Sequence, residues 1–155
     1  MMTIRAVDTI YNGHFFRSRL EARWAVFFNA LGLAWEYEAE TFDVGGVWYL
    51  PDFKLRRRGD SVLWVEVKPE HVEDDPKFSA FARATPDRAL LVSGTPHQYV
   101  THWGADYLQD YLQLSTPVGG LLRNNPRAKE AKARVEIERA AQVALRARFE
   151  HGAND

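Results

Sequence analysis

The sequence predicts a single α/β domain whose core runs helix, three antiparallel strands, helix, strand. Three observations carry that expectation. Apolar residues recur at helical spacing up to Leu31, then alternate with polar ones between Trp35 and Lys68. A short unbroken run, Arg88-Ala89-Leu90-Leu91-Val92-Ser93, has the pattern of a strand buried on both faces. The chain of 155 residues fits one domain by size. The core is expected over residues 14–96 and a C-terminal helical extension over about 105–150.

Taken in order, residues 1–13 read as a lead-in with a turn at Asn12-Gly13. A helix is expected from Phe15 or Phe16 to about Leu31, where Gly32 ends it. Phe16, Leu20, Trp24, Phe27, Phe28 and Leu31 form its buried stripe, and Glu21 lies on the border of that stripe. Trp35-Glu36-Tyr37-Glu38-Ala39-Glu40 alternates as a half-buried strand. Gly45-Gly46 turns the chain into Val47-Trp48-Tyr49-Leu50.

The stretch from Tyr49 to Lys68 reads as a hairpin. Phe53 and Leu55 alternate with Asp52, Lys54 and Arg56, while Leu63, Val65 and Val67 alternate with Trp64, Glu66 and Lys68. A three-residue loop of Arg58, Gly59 and Asp60 places Asp52 opposite Glu66 and Phe53 opposite Val65. Facing like charges on a sheet repel, so the pair calls for a compensating cation. Beyond Lys68, a helix is expected from Pro76 or Lys77 to Ala84, and Gly94-Thr95-Pro96 closes the next strand. Ala105 to Leu114 has helical character, and Pro117-Val118-Gly119-Gly120 breaks it. The segment from Pro126 to Glu150 has high helix propensity, with a thin stripe of Ile137, Ala141, Leu145 and Phe149.

The absence of cysteine excludes disulfides and thiolate metal sites. No apolar run reaches membrane-spanning length and Met1 to Tyr11 lacks a signal-peptide layout, so no membrane association and a cytoplasmic location are expected. The net charge of −1 gives no overall pull toward nucleic acid. Basic residues do gather around the first helix and the hairpin: Arg17, Arg19, Arg23, Lys54, Arg56, Arg57 and Arg58. The five histidines show no ligand spacing. Trp35, Trp48, Tyr49 and Trp64 read as packing residues rather than a base-stacking platform.

Pro51-Asp52, then Glu66-Val67-Lys68, with Glu21 on an upstream helix, resembles the PD-(D/E)XK nuclease superfamily, and so does the expected element order. Phe16-Arg17-Ser18-Arg19-Leu20-Glu21-Ala22-Arg23-Trp24 and Tyr49-Leu50-Pro51-Asp52-Phe53 look like its small phage and bacterial members, similar to Holliday-junction resolvases and transposition nuclease subunits. The resemblance covers about residues 14–96 and implies a restriction-endonuclease-like αβββαβ core with a mixed sheet. It also implies an enzyme that hydrolyses phosphodiester bonds in DNA with Mg²⁺, Mn²⁺ being able to substitute. Asp52, Glu66 and the Val67 backbone carbonyl would hold the ion, Glu21 would join them or position Lys68, and Lys68 would serve the reacting water or phosphoryl group. Arg17, Arg19, Arg23, Lys54, Arg56 and Arg58 would contact DNA. A second copy of the chain is a candidate partner, and no organic cofactor is implied. The competing classes are a nuclease-fold binding or inhibitor protein without turnover, and a helix-mediated assembly factor. A further alternative for Glu21 alone is a surface i,i+4 pair with Arg17.

Overall fold

A computed structural model describes residues 8–56, 61–70, 72, 75–108 and 126–151. The expected core order is present, with additions at both ends. Strands β1 (Thr9–Tyr11) and β2 (His14–Phe16) form a hairpin where a lead-in was expected. Asn12 and Gly13, at φ of 50° and 75°, make the two-residue turn whose twist matches the flanking strands.

Helix α1 (Arg19–Ala30) starts later than its apolar stripe suggests. Ser18 caps it, its Oγ accepting the Glu21 N–H at 3.2 Å. Phe16 therefore enters the core from β2. The helix buries Ala22, Trp24, Ala25, Val26, Phe27 and Phe28, a wider face than a one-sided stripe. Ala140, Ala141 and Ala144 of a long C-terminal helix join the same buried cluster. These small side chains let the two helices lie close.

Strand β3 (Ala34–Tyr37) stops short of Glu40 because Glu38 turns to a φ of 47°. Strands β4 (Phe42–Val44) and β5 (Val47–Tyr49) form a separate two-stranded ribbon around Gly45-Gly46. After Pro51 come β6 (Phe53–Arg56) and β7 (Val62–Lys68), in the expected register: Phe53 faces Val65 and Leu55 faces Leu63. The tip of their loop, residues 57–60, lies outside the described residues.

Helix α2 (Pro76–Ala84), capped by Asp75, crosses to β8 (Arg88–Thr95), which runs parallel to β7. Strand β9 (Gln98–Trp103), not expected from the sequence, then pairs antiparallel to β8. The main sheet is thus mixed, in the order β3-β6-β7-β8-β9. One face carries Phe53, Leu55, Leu63, Val65, Val67, Leu90 and Val92 against α1. The other carries Trp64, Ala89 and Leu91 against Phe78 and Phe81 of α2. This two-sided burial explains the unbroken apolar run of β8.

Residues 105–108 begin a helical turn; the rest of the expected 105–114 helix, and the break at residues 117–120, lie outside the described residues. Helix α3 (Pro126–Arg146) packs on α1, and β10 (Glu150–His151) pairs with β1. The expected stripe of α3 holds in part, Ala141 being buried and Ile137 and Phe149 packing partly buried against the core. Its buried residues are Ala133, Ala140, Ala141 and Ala144, Leu145 is exposed, and Phe149 lies past the helix end against Tyr11. Close approach to α1 selects small side chains. No helix among the described residues is long and apolar enough to cross a membrane.

Candidate functional site

Three elements deliver acids to one end of the sheet. Glu21 comes from the first turn of α1, Asp52 from the residue before β6, and Glu66 from near the end of β7. Lys68 follows two residues on, at the carboxyl ends of parallel β7 and β8, where open α/β sheets commonly bind ligands.

Asp52 and Glu66 are both 8 % exposed. The β6–β7 register makes them neighbours, but their partners differ. Asp52 Oδ2 turns into the ladder and accepts the Val67 N–H at 2.8 Å, and its carboxyl lies close enough to Glu66 and Glu21 to feel their charges. Glu66 Oε2 accepts the Tyr49 O–H at 2.8 Å, while Oε1 lies 3.1 Å from Lys68 Nζ. In extended backbone a residue's N–H and C=O point to the same strand edge. The Val67 carbonyl is accordingly directed toward the Asp52 side of β7.

Burial pushes the Asp52 pKa well up, and the Glu66 and Glu21 carboxylates push it further against the opposing Val67 N–H. Burial also raises Glu66, with Lys68 and Tyr49 pulling the other way. For Lys68, burial disfavours the ammonium, but the Glu66 and Asp75 carboxylates outweigh it and raise the pKa above the ordinary value. Lys68 is thereby held as a cation.

The i,i+4 pairing of Arg17 with Glu21 does not form. Arg17 Nε meets Glu38 at 2.7 Å, and Glu21 Oε2 accepts the Tyr37 O–H at 2.9 Å. Among the described residues, no three histidine or acidic side chains stand ready to hold one ion together. Glu66 leans instead toward Lys68, which also reaches Asp75 at 3.2 Å.

The basic residues expected at DNA have other partners. Lys54 Nζ lies 3.8 Å from Glu40 and 5.0 Å over the Trp64 ring, and Arg56 lies 3.7 Å from Glu36. Glu36 faces Lys54 across the β3–β6 ladder, so the acidic face of β3 runs beside the basic face of β6. Arg23 Nη1 donates to the carbonyls of Ala144 at 2.8 Å and Leu145 at 3.0 Å, a cationic cap on α3. Arg19 is exposed in the first turn of α1, and Arg58 lies outside the described residues.

The Arg23 cap has a measurable weight. Arg23→Ala should cost about 1.5–3 kcal/mol, the range for hydrogen bonds to a charged group. Thermal denaturation should show a lowered midpoint, and limited proteolysis should release α3 first. An unchanged midpoint would remove this role.

Sequence reasoning missed Tyr37, Tyr49 and Asp75. Asp75 preceding Pro76 is an N-cap signature, and its other oxygen serves Lys68. The phenol contacts depend on how separate strands lie against one another, which periodicity does not reveal. Trp48 is corrected: it is 69 % exposed at the ribbon, not packed. Tyr49 and Trp64 are buried as expected, and Trp35 is half-buried. His102 lies on β9, its Nε2 2.7 Å from Ser93 Oγ.

No protein-family model, curated protein or solved structure matches the chain. What supports a function is the chemistry of the residues themselves.

Proposed function

We propose that this protein is a metal-dependent nuclease hydrolysing phosphodiester bonds in DNA, with the restriction-endonuclease-like core that its motif resembles. One observation carries the reading: acids from α1, β6 and β7 meet at the sheet end that also holds a protonated lysine. Folding brings these carboxylates together despite the repulsion and burial that raise the Asp52 pKa. An all-oxygen donor set of this kind suits Mg²⁺ or Mn²⁺. Asp52 and Glu66 would hold the ion, with the Val67 carbonyl and Glu21 as further oxygens. A divalent ion bound there supplies positive charge that acidifies water and polarises the phosphoryl group.

The remaining work falls to the chain. Lys68, kept protonated by Glu66 and Asp75, supplies a point charge for a phosphate oxygen and is not poised to accept a proton. Asp75 holds Lys68 as well, so Lys68 keeps one anchor when Glu66 engages an ion. Lys54, Arg56 and Arg17 take part in surface pairs, which are worth about 0–1 kcal/mol. A phosphate backbone can compete for such cations.

The competing reading is a nuclease-like fold that binds without turnover, which the leaning of Glu66 toward Lys68 favours. One assay separates the two. Plasmid, linear and branched DNA are incubated with Mg²⁺ or Mn²⁺ and wild type, Asp52→Ala or Lys68→Ala. Wild type should cleave, and each variant should lose activity by at least about a hundredfold. Cleavage that survives both substitutions removes this site. Tight binding without cleavage of any substrate favours the binding module.

A further inference from the structure

Each of the three acids has one oxygen fixed by an uncharged donor. Tyr37 O–H holds Glu21 Oε2 at 2.9 Å, Val67 N–H holds Asp52 Oδ2 at 2.8 Å, and Tyr49 O–H holds Glu66 Oε2 at 2.8 Å. The Tyr37 oxygen also accepts the Arg17 backbone N–H at 3.2 Å, which helps direct its own proton at Glu21.

We propose that Tyr37 and Tyr49 are positioning residues for the divalent-cation site, each pinning one carboxylate oxygen and leaving its twin for the ion, the Glu66 twin giving up its contact with Lys68 to do so. This rests on the metal-dependent reading above. A carboxylate on a glutamate has several rotatable bonds, and tying one oxygen removes most of that freedom before a ligand arrives. Asp52, on a shorter side chain, needs only a backbone N–H for the same purpose. Glu21 and Glu66, with one more methylene, are the two that receive phenols.

The rings and the hydroxyls can be tested separately. The Tyr37 ring packs on Phe16 and Phe53 at centroid distances of 4.6 and 5.4 Å, and the Tyr49 ring on Phe81 at 4.9 Å. Phenylalanine keeps those contacts and removes only the hydroxyl, which at Tyr37 also takes the acceptor from the Arg17 N–H.

The test is Tyr37→Phe and Tyr49→Phe in the full chain, with two readouts. Mn²⁺ affinity is measured by calorimetry without nucleic acid, and kcat and KM are measured on a cleaved DNA. Each variant should weaken Mn²⁺ binding about tenfold and lower kcat about 10–100-fold, with KM for DNA changing less than about twofold. Mn²⁺ affinity and kcat within twofold of wild type in both variants would overturn the proposal. A lowered melting midpoint with Mn²⁺ affinity unchanged would overturn it too, by assigning the hydroxyls to packing. If wild type binds Mn²⁺ but cuts nothing, the nuclease reading falls, while weakened Mn²⁺ binding in the variants still supports the positioning role. If wild type binds no Mn²⁺, both fall together.

Discussion

Asp52→Asn is expected to abolish cleavage and at the same time to make the folded chain more stable at neutral pH. Asparagine keeps an oxygen for the Val67 N–H and places an amide donor beside the Glu21 carboxylate. It removes the buried charge that Glu66 and Glu21 repel. The sign follows from linkage. The folded-state pKa of Asp52 lies above its unfolded value, so over that interval the folded chain holds a proton that the unfolded chain has released. Stability contributed by this group is therefore present below the ordinary carboxylate range near pH 4 and is lost as pH rises through the raised folded value. The asparagine variant escapes that loss. Its advantage should be absent near pH 3 and should reach about 1–2 kcal/mol above the folded pKa, or about 2–8 °C in melting midpoint. Circular dichroism melts from pH 3 to 9 read this directly. Millimolar Mn²⁺ should then narrow the gap by stabilising wild type alone. A variant no more stable than wild type at pH 8 would show that Asp52 bears no electrostatic penalty.

The second large effect lies in the core. Trp24 is fully buried and sits at 5.5 to 5.9 Å from the rings of Phe27, Phe28 and Tyr99. Its Nε1–H donates at 3.0 Å to the carbonyl of Gly94, on β8. Trp24→Ala should cost about 3–5 kcal/mol for lost packing. The unpaired Gly94 carbonyl adds about 1–3 kcal/mol. Against a typical stability of 5–15 kcal/mol this brings the chain close to unfolding. Trp24→Phe keeps much of the volume and should lose far less. Urea titration followed by circular dichroism measures both, and similar midpoints for the two variants would discount the packing account.

The readable parts of this chain are those set by local period. Alternation across residues 52–68 yielded the β6–β7 register, and with it Asp52 and Glu66 as neighbours. Pro76 and Ala84 bounded α2 correctly because proline and the Thr85-Pro86 break act locally. Other features were present in the sequence but outweighed. Ser18 and Glu21 have the spacing of a capping box, yet the aromatic pair Phe15-Phe16 suggested an earlier helix start. Asn12-Gly13 is a strong hairpin signal, yet its strands are only three residues each. Strand β9 was lost behind Pro96. Contacts between distant segments left no local trace. Arg23 meets Ala144 and Leu145 across more than a hundred residues, and Tyr49 reaches Glu66 from a separate ribbon.

The pairing of β1 with β10 bears on how the protein is made. Thr9 and Ile10 leave the ribosome about 140 residues ahead of their partners His151 and Glu150. At about 5–20 residues per second, the opening hairpin waits roughly 7–30 seconds for its third strand. During that interval α1 also lacks its cover from α3. A nascent chain stalled before residue 126 should therefore leave Arg23 without its α3 carbonyls and that side of α1 open to whatever chaperone attends it.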